Sequence, residues 1–135
     1  MYTTATLTYK GNLRCLLTHT QSGTQIETDA PVDNKGNGEK FSPTDLLTVS
    51  LASCMATLMG IAADTHQIAF HQAEAQIVKH MQSNPRKVGK IEIHFHIQGS
   101  FSDKEKAILE KAALTCPVYL SLHPEMEKHI VFNWI

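Results

Sequence analysis

Two cysteines in apolar surroundings are the residues of this chain best suited to chemistry. Cys54 lies in the middle of an almost wholly apolar helical run, residues 46–62, and Cys116 stands directly before Pro117 at the end of a second predicted helix. A thiolate can be oxidised to a sulfenic acid, and a second thiol can condense with that acid to form a disulfide. Two thiols on two helices, with few charges near either, therefore suggest redox chemistry sheltered from water.

A buried thiol needs a cation before it can react. Free cysteine usually behaves as a small hydrophobic residue, and loss of hydration raises its pKa, which makes it inert. Arg14, which follows a predicted turn at Gly11-Asn12, is a candidate cation for Cys54, although a solvated charge at a strand end is the alternative interpretation. Cys15 adjoins Arg14 but alternates to the other strand face, so we interpret it as a packing residue.

The composition is typical of one globular domain spanning residues 1–135. The chain has 135 residues, 42% of them hydrophobic, and a formal net charge of −1. The near-neutral charge and scattered basic residues give no reason to expect a nucleic acid or a membrane as partner. The opening residues lack a secretory signal pattern, so we expect a cytoplasmic protein. Three widely spaced cysteines argue against both a disulfide framework and a Cys-x-x-Cys zinc site.

The first half of the chain predicts a three-stranded meander followed by a long helix. Alternating residues form strands over 3–9, 13–20 and 24–28, and a crossing loop over 29–40 leads to a helix from Pro43 to about Asp64. Ser42 is suited to cap this helix, and Asp45 places an acid near its positive end. Apolar residues occupy all sides of the helix, so we interpret it as a buried helix of a soluble protein, covered partly by a second subunit.

The second half predicts a hairpin, a helix and a last strand. Strands are expected over 68–81 and, with the cleanest alternation in the sequence, around Ile91 to Ile97. Ser102 and Glu105 form a capping-box pattern that opens a helix through Leu114. Pro117 interrupts that helix, and residues 129–134 form a strand. The order β-β-β-α-β-β-α-β indicates the α+β class.

Histidines are numerous in the second half. His94 and His96 share one face of a predicted strand, a spacing that also occurs in metal sites. Histidines on a strand face are more often outward polar residues. We therefore predict neither a metal site nor a bound cofactor.

Two motifs resemble a known family. They are Ser42-Pro43-Thr44-Asp45-Leu46-Leu47 followed by Leu51-Ala52-Ser53-Cys54-Met55, together with the later pair Cys116-Pro117. The chain is similar over nearly its whole length to the osmotically inducible protein C and organic hydroperoxide resistance family (OsmC/Ohr). The resemblance implies an intertwined homodimer, in which two long central helices pack between sheets drawn from both chains.

The resemblance also implies a thiol-dependent peroxidase that reduces organic hydroperoxides. Cys54 would match the peroxidatic cysteine and Cys116 the resolving cysteine, and an external dithiol would reduce their disulfide. In the family, an arginine of the N-terminal hairpin region stabilises the thiolate, and this arginine corresponds to Arg14. A guanidinium suits that role because it stays charged when partly desolvated.

One position departs from the pattern of the better-characterised hydroperoxide reductases. They have a glutamate directly after the helix-starting proline, where it holds the arginine in place, and this chain has Thr44. Glu39, in the preceding loop, is a candidate replacement, with a solvated loop charge as the alternative. Asp45 lies roughly opposite Cys54 around the helix, so we interpret it as a capping carboxylate.

Two other functions remain open from the sequence. The chain could be a small-molecule or acyl-chain binding protein, whose apolar dimer pocket is merely lined by the thiols. It could also be an interaction domain in which both cysteines are core residues. That last hypothesis predicts sulfurs too far apart to bridge.

Overall fold

The computed structural model describes residues 2–135, which divide after Leu46 into two compact units. Each unit contains one three-stranded sheet, and a long helix begins in the first unit and continues in the second. The predicted α+β class and the predicted order of the main elements are confirmed. Two further short helical segments are present, a 3₁₀ helix at Val32–Asn34 within the crossing loop and a helix that follows Cys116.

The first unit is an antiparallel meander of strands β1 (Ala5–Gly11), β2 (Arg14–His19) and β3 (Gln25–Asp29). Asn12 and Leu13 form the turn between β1 and β2 with φ angles of 55° and 63°, and Gly11 before them has φ 86°. Glycine and asparagine tolerate this left-handed region best. The tight turn starts β2 at Arg14, which therefore pairs across the sheet with Asp29, the last residue of β3.

The long helix α1 runs from Pro43 to His66, slightly beyond the predicted end at about Asp64. Its start is a reciprocal cap: the Asp45 N–H donates to Ser42 Oγ at 3.0 Å, and the Ser42 N–H donates to Asp45 Oδ2 at 2.9 Å. The predicted capping roles of both residues are confirmed. By length and composition alone α1 could also cross a membrane, a property shared by core helices of soluble proteins.

The second unit is a mixed sheet of β4 (Gln72–Gln82), β5 (Lys87–Gln98) and β6 (Glu127–Trp134), in that order. β4 and β5 form the predicted antiparallel hairpin, although β4 begins four residues later than expected, at Gln72 instead of Ile68. β6 pairs with β5 in parallel. Parallel neighbours need a crossover connection, which here contains helices α2 (Asp103–Leu114) and α3 (Pro117–Ser121).

The core of the second unit lies on one face of its sheet. Ile91, Ile93, Phe95 and Ile97 of β5 are all at most 1% exposed, as their alternation predicts. They belong to one apolar cluster with buried residues of α1 and α2, namely Leu51, Met55, Met59, Leu109 and Ala113. The opposite face of β5 carries polar side chains.

The structure adds a second role for Pro117 to the expected one, because α2 ends before it as predicted. This residue occupies the first turn of α3, where proline is favoured because its missing N–H needs no partner, so it starts a helix as well as following one. Cys116 therefore lies between two helices and is the N-cap of α3. This position determines the environment of its thiol.

Candidate functional site

Cys116 is completely buried, with none of its surface exposed. Its Sγ accepts a hydrogen bond of 3.4 Å from the Tyr119 N–H in the first turn of α3. The capping geometry fixes the direction of the sulfur, because an N-cap side chain must point at the free N–H groups of its helix.

Cys54, half-buried on α1, is the neighbour of Cys116 within the second unit. Burial raises the pKa of the Cys116 thiol, and hydrogen bonding and charge interaction with Cys54 raise it further, against the lowering effect of the Tyr119 and Val118 N–H groups. Cys116 is therefore a protonated thiol at neutral pH. The two thiols that the sequence placed on separate helices are brought together.

Arg14 lies in the first unit, at the start of β2, and makes a two-pronged ion pair with Asp29. The Arg14 Nε–Asp29 Oδ1 distance is 2.7 Å and the Nη2–Oδ2 distance is 2.9 Å. The Asp29 side chain is 2% exposed and that of Arg14 is 28% exposed. Two parallel bonds to one carboxylate fix the plane of the guanidinium as well as its charge.

Each member of this ion pair stabilises the charged form of the other. The hydrogen bonds from Arg14 hold the pKa of Asp29 below its ordinary value against the opposing effect of burial, and backbone N–H groups of Glu39 and Lys40 add to the lowering. The bond to Asp29 likewise raises the pKa of Arg14. A charged guanidinium is therefore held in a fixed orientation by a carboxylate.

Asp29 is the site residue that the sequence analysis missed. The signal was present in the meander, because a tight turn before Arg14 and a second turn after β2 set a register in which the two residues are directly paired. Its position at the beginning of the crossing loop gave it the appearance of a loop charge.

Glu39 also lies near Arg14, but at the outer limit of an ion pair. Its Oε1 is 3.9 Å from Arg14 Nη2, and its side chain is 65% exposed. Both residues line an open cleft of about 290 Å³, together with Lys10, Gly11, Asn12, Glu27 and Asn37. The supporting role predicted for Glu39 stays a prediction.

Cys15 follows Arg14 on β2 and is half-buried. It pairs with Tyr9 and Thr28, one register position from the Arg14–Asp29 pair, so it belongs to the opposite face of the sheet. This placement agrees with the interpretation of Cys15 as a packing residue.

Comparison with known proteins identifies the family. The model of the OsmC-like protein family matches residues 36–129, and the chain belongs to this family. A search among curated proteins found no significant match.

Solved structures agree with this assignment. A candidate osmotic stress induced and detoxification response protein from Psychrobacter arcticus 273-4 is 44% identical, with a TM-score of 0.94 over 98% of this chain and 97% of that chain. An organic hydroperoxide resistance protein OsmC from Legionella pneumophila shares 19% identity and a TM-score of 0.76, covering 98% of both chains. One from Elizabethkingia anophelis shares 18% identity and a TM-score of 0.72, covering 100% of this chain and 98% of that one. The last two comparisons describe the fold.

Proposed function

We propose that this protein is a cysteine-based peroxidase that reduces organic hydroperoxides. The observation that carries the proposal is the pair formed by half-buried Cys54 and fully buried Cys116, one on α1 and one capping α3. A pair of adjacent thiols is what a peroxidatic and a resolving cysteine require. Membership of the OsmC-like family and the names of its organic hydroperoxide resistance members support the choice of substrate class.

The environments of the two thiols suggest which one attacks. Because the pKa of Cys116 is raised, Cys116 stays protonated, and Cys54 is assigned the nucleophilic role. The Cys54 thiolate attacks the terminal oxygen of the hydroperoxide, the O–O bond breaks, and the leaving alkoxide takes up a proton to become an alcohol. Cys54 is then a sulfenic acid.

Cys116 resolves the sulfenic acid. Its sulfur forms a bond to Cys54 Sγ, and the Cys54 hydroxyl leaves as water with the Cys116 proton. An external dithiol reduces the resulting disulfide and returns both cysteines to thiols. The cycle uses no metal or bound organic cofactor, and we assign it to the cytoplasm, where such dithiols are maintained in the reduced form.

Arg14 is assigned the role of the cation that stabilises the Cys54 thiolate. Its pKa is raised, so it carries a charge at every relevant pH, and Asp29 fixes its orientation with two short bonds. We propose that Asp29 fulfils the positioning function of the glutamate that Thr44 replaces, with Glu39 as a weaker second carboxylate.

The active form is proposed to be a homodimer. Large apolar side chains of the first unit are exposed, among them Leu7 at 60% and Tyr9 at 59%, as is Ile61 on α1 at 55%. Exposed apolar surface on each unit favours association with a second copy.

Stopped-flow mixing of reduced protein with cumene hydroperoxide, followed by mass spectrometry, tests the peroxidase proposal. We expect a Cys54–Cys116 disulfide in the parent protein, no peroxide consumption by Cys54→Ser, and a Cys54 sulfenic acid that reacts with dimedone in Cys116→Ser. Cys15→Ser is the matched control and should react as the parent does. A Cys54→Ser protein that consumes peroxide at the parental rate would falsify the mechanism.

The role of Arg14 is tested separately by the pH dependence of Cys54 alkylation. Arg14→Met should shift the alkylation profile to higher pH, because the thiolate loses its cation. Arg86→Met, at the chain's other arginine, should not. An unchanged profile in Arg14→Met would remove Arg14 from the mechanism while leaving the thiol pair intact.

A second candidate function is the binding of a small molecule or an acyl chain. The observation that favours it is an open cleft of about 530 Å³ in the first unit, lined by exposed Ile26 and Phe41 together with Glu27, Glu39, Lys40 and Asp45. This hypothesis predicts binding of a fluorescent fatty acid that Phe41→Ser weakens, together with a parent protein that consumes no peroxide, so the binding and peroxide assays discriminate between the two functions.

A further inference from the structure

The outer face of the sheet in the second unit gathers histidines and carboxylates that the proposed peroxidase does not use. Glu92 and His94 lie two residues apart on β5 and share this face. The parallel pairing of β6 with β5 places His129 directly beside Glu92. One ligand atom from each of these three residues lies within 4.8 Å of the other two.

The chemistry of this group suits a metal ion. Two imidazole nitrogens and one carboxylate oxygen are a donor set that binds Zn²⁺ and similar divalent transition-metal ions. We propose that Glu92, His94 and His129 form a binding site for such an ion, with Zn²⁺ as the representative, and leave one coordination position open to water or an external ligand.

The distances require only small side-chain rotations. His94 Nε2 is 2.7 Å from Glu92 Oε2, and the ring centroids of His94 and His129 are 6.0 Å apart in an edge-on arrangement. Tetrahedral coordination at about 2.1 Å separates ligand atoms by roughly 3.4 Å. On metal binding, the ligand atoms of Glu92 and His94 would move slightly apart, and the His129 ring would move toward them. All three side chains are at least partly exposed to solvent.

Glu92 has a further histidine partner outside the three-residue group. His80 Nε2, on β4, lies 3.0 Å from Glu92 Oε1, the oxygen that does not face His94. His80 would therefore orient the carboxylate from outside the metal site. The nearby cation Lys90 has its own partner in Glu127, at 3.5 Å.

His129 distinguishes this proposal from a simple ion-pair network. A network of surface charges would use Glu92 with His80 and His94 and would need no third histidine. A metal site needs His129 as a ligand, so its removal must weaken metal binding.

The test is a calorimetric titration of tag-free, reduced, full-length protein with Zn²⁺. We expect one ion for each chain at this site, in the parent protein and also in a Cys54→Ser/Cys116→Ser variant that removes the thiol pair. His94→Gln and His129→Gln should each weaken the affinity by at least about tenfold, as should His80→Gln through its effect on Glu92. His96→Gln, on the same face of β5 but outside the three-residue group, is the matched control and should bind as the parent does.

A second measurement keeps the result independent of folding and of the cysteines. Co²⁺ bound to the unmodified protein should give the visible absorption of nitrogen and oxygen ligands without a thiolate charge-transfer band, and circular dichroism checks each variant's fold. The proposal is overturned if the parent binds no Zn²⁺, if His129→Gln binds as well as the parent, or if binding disappears with the cysteines.

Discussion

The two units of this protein differ in the residues that they bury, which are polar in the first unit and mostly apolar in the second. In the first unit the buried residues are polar, namely Thr28, Asp29 and Ser42, whereas Leu7, Tyr9 and Ile26 of its strands are exposed. In the second unit an apolar cluster is buried, and polar residues such as Glu92 and His94 occupy the outer face of the sheet. The first unit thus buries the carboxylate of an ion pair, whereas the second buries a hydrophobic core.

This difference suggests that the two units support different parts of the proposed chemistry. A charged guanidinium keeps its charge most easily where a carboxylate and backbone N–H groups hold it, and the first unit provides this for Arg14. A thiol that must be shielded from water needs apolar neighbours, and the second unit provides these for Cys116. The second unit can therefore draw hydrophobic stabilisation from its own residues, whereas apolar strand residues of the first unit are exposed.

The largest expected effect on stability comes from comparing a buried leucine of the second unit with an exposed leucine of the first. Leu51→Ala, at a fully buried position of α1, should lower the free energy of unfolding by about 2–5 kcal/mol, because it leaves a cavity in a packed core. Leu7→Ala, at a position 60% exposed, should change it by less than about 0.5 kcal/mol. Urea denaturation at low protein concentration measures both.

Repeating the Leu7→Ala measurement at rising protein concentration sharpens the comparison. If a second copy covers β1, the cost of the substitution should increase as the dimer becomes populated, while the cost of Leu51→Ala should remain the same. An equal loss of unfolding free energy from the two substitutions at low concentration would contradict the distinction between a packed core around Leu51 and an exposed strand face at Leu7.

The second expected effect is a loss of folding stability at low pH. The pKa of Asp29 is lowered in the folded state, whereas an aspartate in an unfolded chain titrates near about 3.9. The ion pair therefore stabilises the fold fully above that value. Its contribution declines as pH falls below about 4 and is lost once pH passes below the lowered pKa of the folded state, because the unfolded chain takes up the proton first.

Asp29→Asn should accordingly flatten the fall in stability below about pH 4 and reduce stability at neutral pH. Denaturation midpoints recorded across this range measure the change. Glu39→Gln is the matched control, because it removes an exposed carboxylate near the same arginine and leaves both short bonds intact. An acid response that is identical in Asp29→Asn and the parent would show that ionisation of Asp29 contributes nothing to stability.

The smallest expected effect compares the two helix caps. Ser102 caps α2 in the predicted capping box with Glu105, at an exposed position, and its loss in Ser102→Ala should cost about 1 kcal/mol. Ser42 caps α1 but is 1% exposed, and its Oγ also lies 3.2 Å from Thr44 Oγ1. Ser42→Ala should therefore cost more, up to about 2 kcal/mol. Thermal unfolding compares the two, and a larger loss in Ser102→Ala would contradict the greater burial of the first cap.

Local patterns predicted most of the fold. The alternation around Ile91 to Ile97 identified β5 and its buried face, and the caps at Ser42 and Ser102 placed both helix starts. These signals depend on neighbouring residues alone. The parallel pairing of β6 and the short helix α3 had no such signal, because both depend on how the chain returns after α2.

The sequence by itself determined the α+β class, the order of the main elements and the identity of the residues able to do chemistry, because strand period, helix caps and thiols are local properties. Only the tertiary structure decided which of the more distant residues meet: Cys54 beside Cys116, and His129 beside Glu92. Each of these pairs joins residues distant in the chain, and their proximity is set by strand register and core packing, which no short stretch of sequence encodes.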